Sequence, residues 1–183
     1  MTTLARICAA ALLAIVPLCA AQTASHKKAA APPKPEPTEP ELVEYIRGAL
    51  LALTPNDGMN DNLEVAYDTT TKVLTVATPN GRCEFFISAL DANNMVWDVF
   101  DPSDSDRTRE KLLRLTMIST IGKPARTCYN NVSAVDPMMP TNRARFLFSE
   151  PKADEEPNFQ DHMATAFRKL IALDGGTAAK DLF

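Results

Sequence analysis

Residues 63–87 read LEVAYDTTTKVLTVATPNGRCEFFI, and the period of this stretch decides the fold. Leu63, Val65 and Tyr67 place an apolar side chain at every second position, the pattern of a strand with one buried face. Residues 68–71 turn the chain, and 73–77 return as a second strand. Thr78-Pro79-Asn80-Gly81 is the next turn, because Asn and Gly tolerate positive φ. Cys83, Phe85 and Ile87 form the face of a third strand. Short turns between such strands predict antiparallel hairpins.

The same alternation continues toward the C-terminus. Residues 91–94 turn, and Met95, Trp97 and Val99 then face one way while Asp98 faces the other, so Trp97 reads as core. A polar loop covers 101–109. A strand over 112–121 ends in the Gly122-Lys123-Pro124 turn, and a weaker one over 125–131 carries Cys128. After a loop over 136–142, Ala144, Phe146 and Phe148 alternate with Arg143, Arg145 and Leu147, a half-buried strand with a cationic outer face.

On both sides of the strands the period becomes helical. Thr38 and Glu41 are spaced as a capping box, Pro40 suits a first turn, and Leu42, Ile46, Leu50 and Leu53 share one face. At the other end Asn158 is the expected cap, and Phe159, Met163, Phe167, Leu170 and Leu173 give the stripe. Gly175 suits the left-handed stop. The predicted class is α+β and mostly antiparallel: about seven strands, as a barrel or a bent sheet, with an N-terminal helix and a C-terminal capping helix.

This order resembles the pleckstrin-homology-like barrel, on the hairpin series 63–100, the later strands 112–148 and the helix 158–173. The resemblance implies a bent seven-stranded antiparallel barrel plugged at one end by the last helix. Lipid binders of that family cluster basic residues in the first hairpin loop. Here that loop is Asp68-Thr69-Thr70-Thr71-Lys72, so a phosphoinositide site is not expected. A plain antiparallel sheet with both helices on one face is the alternative.

The N-terminus sets the expected compartment. Arg6 is followed by an apolar run over 7–18 and small residues at Cys19, Ala20 and Ala21, the order of a secretory signal peptide. Residues 1–21 are therefore read as a signal cleaved near Ala21, giving an exported, periplasmic or extracellular protein. Membrane contact is expected only if the run is retained as an anchor or Cys19 is acylated, and Leu18 is larger than acylation favours. Residues 22–38, with prolines at 32, 33, 35 and 37, read as a Pro/Ala/Lys-rich disordered linker. Residues 39–176 are of one-domain size, and 177–183 read as a flexible tail.

Four cysteines occur, and the cleavage removes Cys8 and Cys19. The remaining pair, Cys83 and Cys128, is expected to be a disulfide in an oxidising compartment. Closing a loop of about 45 residues contributes about 4 kcal/mol in the chain-entropy account. The formal net charge of −4 argues against nucleic acid as a partner.

Chemistry-bearing motifs are sparse. His26 lies in the linker, and His162 lies off the apolar stripe with no positioned partner, so neither is read as catalytic. Asp101, Asp104 and Asp106 are weak calcium candidates, because their loop lacks the central Gly and distal Glu of an EF-hand. No nucleophile elbow or phosphate-binding Gly loop is present, and no cofactor is expected. Asn131-Val132-Ser133 is a glycosylation sequon in a eukaryotic secretory pathway.

The surface feature with most content is cationic. Arg143 and Arg145 project from one strand face, and Arg126 is placed on the adjacent strand, a face suited to an anionic group. The plain reading is surface pairing with Glu110, Glu150 or the acidic residues 154–156. The function expected is an exported, non-catalytic binding or scaffold module for a protein or small anionic ligand. The alternatives are an envelope self-assembly protein and a hydrolase using Asp101, Asp104 and Asp106.

Overall fold

A computed structural model describes residues 35–55, 62–100, 112–120, 122–130, 140–152 and 154–180. All but Pro35 belong to the compact unit Glu36–Phe183. The segments read as signal and as most of the linker, Asp101, Asp104, Asp106, Glu110, the sequon and 181–183 lie outside the described residues.

Helix α1 (Glu39–Leu53) starts as its sequence directs: the Glu41 carboxylate accepts hydrogen bonds from the Thr38 N–H at 2.7 Å and the Thr38 hydroxyl at 2.8 Å. It buries Leu42, Ile46, Ala49 and Leu50. Seven antiparallel strands follow: β1 (Glu64–Asp68), β2 (Val73–Thr78), β3 (Gly81–Phe86), β4 (Leu90–Phe100), β5 (Leu112–Ser119), β6 (Arg126–Asn130) and β7 (Arg143–Ser149). Helix α2 (Phe159–Leu173) closes the chain. The α+β class, the strands and both terminal helices are thus as the sequence predicts.

The strands form two sheets, β1-β2-β3-β6 and β4-β5-β7, and these are not closed into a barrel. The first hairpin turns on Asp68, whose Oδ1 accepts the Thr70 N–H at 2.8 Å and the Thr71 N–H at 3.1 Å. The second hairpin forms where expected, with Thr78 opposite Gly81. Its turn does so without positive φ at Asn80 or Gly81; Lys72, in the first hairpin, has φ of 58°. Residues 91–94 are no separate turn, because β4 runs through them with a register shift between Asp91 and Met95.

The core lies between the sheets and the helices. Phe146 stacks on Phe167 at 5.3 Å and meets Phe85 at 4.4 Å, while Phe148 meets Phe159 at 5.3 Å. Trp97 packs against Phe148 and Phe159, but Val99, expected beside it, is 61% exposed. Phe159 is the first residue of α2, so among the described residues the helix cover ends at Trp97.

The end of α2 differs in phase from the expected stripe. Leu173 is 55% exposed, whereas Ile171 and Asp174 are buried. Asn158 precedes the helix with φ of 63° and does not cap it with its side chain. Gly175 takes the left-handed stop at φ 81°. Gly176 is required by contact: a Cβ there would stand 2.5 Å from Ile171 Cγ2 and 2.8 Å from the Leu90 carbonyl. The segment expected to fray is tied to β4 instead. The Ala92 N–H donates to the Thr177 carbonyl at 2.9 Å, and the Lys180 N–H donates to Asn93 Oδ1 at 3.0 Å.

Candidate functional site

Strand β7 sets out the site by simple alternation. Ala144, Phe146 and Phe148 are buried, and Arg143 and Arg145 are exposed on the opposite face. Across that face Thr116 of β5 stands opposite Arg145, and Ile118 stands opposite Arg143. In the next row Asp98 of β4 faces Arg114 of β5. The Arg114 guanidinium grips Asp98 bidentately, at 2.8 and 2.7 Å. Those hydrogen bonds hold the Asp98 carboxyl below its ordinary range against a small burial effect, with the charges of Arg114 and Arg145 assisting.

Arg126 does not lie on the strand adjacent to β7 as expected. The strand adjacent to β7 is β5, and Arg126 opens β6 in the other sheet. The two sheets touch where Thr141, just before β7, pairs with Arg126. The Arg126 N–H donates to the Thr141 carbonyl at 3.1 Å, and the Thr141 N–H donates back at 3.0 Å. The chain then crosses to the second sheet, bringing Arg126 within electrostatic reach of Arg145. Burial, and then the Arg145 charge, push the Arg126 guanidinium below its ordinary value. Its Nε is buried and finds no hydrogen-bond acceptor.

Of the carboxylates that the sequence offers as ordinary partners, Glu110 lies outside the described residues, and Glu150, Asp154, Glu155 and Glu156 form no ion pair with these arginines. Glu155 pairs with Lys152 at 3.1 Å, and Glu156 accepts the Tyr45 hydroxyl. Among the described residues no carboxylate lies within ion-pair distance of Arg126, Arg143 or Arg145. Guanidinium groups present planar, paired donors that match a carboxylate or a phosphate. This arrangement can hold an anionic group.

A second polar cluster has no counterpart in the sequence reading. Asp174, at the end of α2, has a fully buried side chain that accepts the Tyr67 hydroxyl and lies 3.4 Å from Lys72 Nζ. Lys72 also donates to Glu39 at 2.9 Å. Burial raises the Asp174 carboxyl above its ordinary range against the pull of Tyr67 and Lys72, and the Glu39 charge adds to the rise. The cluster ties the start of α1, the first hairpin and the end of α2 together. The one signal in the sequence is an acidic residue at a core phase of α2, immediately before the glycines.

Cys83 and Cys128 stand directly opposite each other on β3 and β6, with their sulfurs 2.04 Å apart, at disulfide distance. His162 is exposed on α2. A depression of about 280 Å³ opens at the start of α2, but Glu150, Glu156 and Asp161 make its rim acidic. No helix among the described residues is long and apolar enough to cross a membrane. Comparison with protein families, with curated proteins and with solved structures finds no match to this chain.

Proposed function

We propose that this chain is an exported, non-catalytic binding module that takes an anionic group of its partner on the face formed by Arg126, Arg143 and Arg145. The observation that carries the reading is Arg126 within electrostatic reach of Arg145, with a buried Nε that has no acceptor among the described residues. A buried donor without a partner costs about 1–3 kcal/mol, and like charges held close add to that. An arriving carboxylate or phosphate offsets the like charges. Export is supported by the signal-like order of residues 1–21 and by the cysteine pair at disulfide distance.

The test is calorimetric titration of the purified protein with hexaglutamate and with inorganic phosphate at low salt. Saturable binding that Arg126→Met combined with Arg145→Glu weakens at least tenfold is the expected result. Binding of neither probe, or binding that the double variant leaves intact, overturns the reading.

A further inference from the structure

We infer that the outer edge of β7, from Arg145 to Ser149, is a strand-addition site for an extended acidic segment of a partner protein. The inference rests on the anionic reading of the arginine face and adds to it a main-chain docking mode.

The hydrogen bonds around the start of β7 fix which way its backbone points. The Asn142 carbonyl accepts the Ser119 N–H at 2.9 Å, so the backbone of Asn142 faces β5. Antiparallel strands alternate, so Ala144, Phe146 and Phe148 also face β5, while Arg143, Arg145, Leu147 and Ser149 turn their N–H and C=O groups away. Thr141 agrees with this phase. Its hydroxyl accepts the Arg143 N–H at 2.9 Å and faces the Arg143 carbonyl at 3.3 Å, which closes the edge at that residue. β7 is the end strand of its sheet, and no described residue bonds the outward backbone groups of Arg145 or Leu147.

Each of the other sheet edges is engaged at one point or more. On β1 the Val65 carbonyl accepts Arg47 Nε at 3.2 Å. β6 is taken at Arg126 by Thr141, and β4 is taken at Leu90 and Ala92 by Thr177. Beyond its bulge, β4 carries Asp98 already gripped by Arg114, and nothing there specifies an occupant. The edge of β7 differs because its charge names what fits. A second copy of β7 laid antiparallel across Arg145–Ser149 would set Arg145 against Ser149 and leave the arginine charge unanswered. A strand with carboxylates at alternate positions would bond the edge through its backbone and present those carboxylates to Arg143, Arg145 and Arg126.

The test uses the purified protein and the peptide acetyl-(Glu-Val)₃-amide, together with two versions N-methylated at every Glu or at every Val. Each methylation removes the donors from one edge of the peptide strand. One methylated version is expected to bind at least tenfold more weakly and the other to bind as the parent does. Leu147→Pro, which removes an outward N–H and leaves the ladder to β5 whole, is expected to weaken the parent peptide to the same degree. If it does not fold, the peptide pair decides alone. Parent and both methylated peptides binding equally, with Arg145→Glu still weakening all three, overturns strand addition and leaves the anionic face standing. No binding of the parent peptide, or binding indifferent to Arg145→Glu, overturns both.

Discussion

The Nε of Arg126 is buried against no acceptor, and the charge of Arg145 presses on the same guanidinium. Methionine at that position keeps an unbranched stem and removes both the orphan donor and the repulsion. Arg126→Met is therefore expected to raise stability by about 1 kcal/mol while weakening the binding of anions, a trade that urea unfolding and calorimetry on one sample measure together. A loss of stability would mean that the guanidinium already has a partner. Asp174 makes the opposite kind of prediction. Burial raises its native pKa, so its contribution to stability is complete below the unfolded value of about 3.9 and is lost as the pH rises through the native one. The stability of the parent minus that of Asp174→Asn is expected to fall across that window and to be flat on either side. A difference that rises instead would show that Lys72 and Tyr67 outweigh burial. Asp174 was not legible in the sequence because steps of three and four along a helix allow two phases, and the stripe ending at Leu173 looked as regular as the one ending at Ile171.

At the scale of elements, alternation and capping chemistry place most of the structure. The capping box of α1, the first hairpins and the two faces of β7 follow from residue spacing alone, so Arg143 and Arg145 were legible as a pair. Alternation does not reveal where a covering helix stops, and Val99 is exposed for that reason. Nor does it say which strands pair across a long loop. Arg126 comes within electrostatic reach of Arg145 where Thr141 bridges two sheets, a contact between elements that no local pattern encodes. The Cys83–Cys128 pair holds β6 to β3 next to that bridge, closing a sequence separation of 45 residues. Opening it is expected to cost about 4 kcal/mol in the chain-entropy account, seen as a lower urea midpoint in reductant. An unchanged midpoint would mean that the two thiols are not joined.

At the scale of the whole molecule, each sheet contributes to the core, and α2 packs on the sheet β4-β5-β7 through Phe159 against Phe148 and Phe167 against Phe146. The Glu39–Lys72–Asp174 cluster fixes the helix ends to the first hairpin, away from the arginine strand in sequence and in contacts. Among the described residues, Arg126, Arg143 and Arg145 near the parting of the two sheets have no carboxylate at ion-pair distance. Strand count and class were legible because they follow from local period. The parting of the sheets was not, since a closed barrel and two open sheets use the same hairpins. The most direct test is amide NMR mapping of the isotope-labelled protein titrated with hexaglutamate. Shifts concentrated on Arg126, Thr141, Arg143, Arg145 and Thr116 are predicted. Shifts confined to the acidic rim at the start of α2, or spread over the surface with β7 unmoved at saturation, would contradict the account.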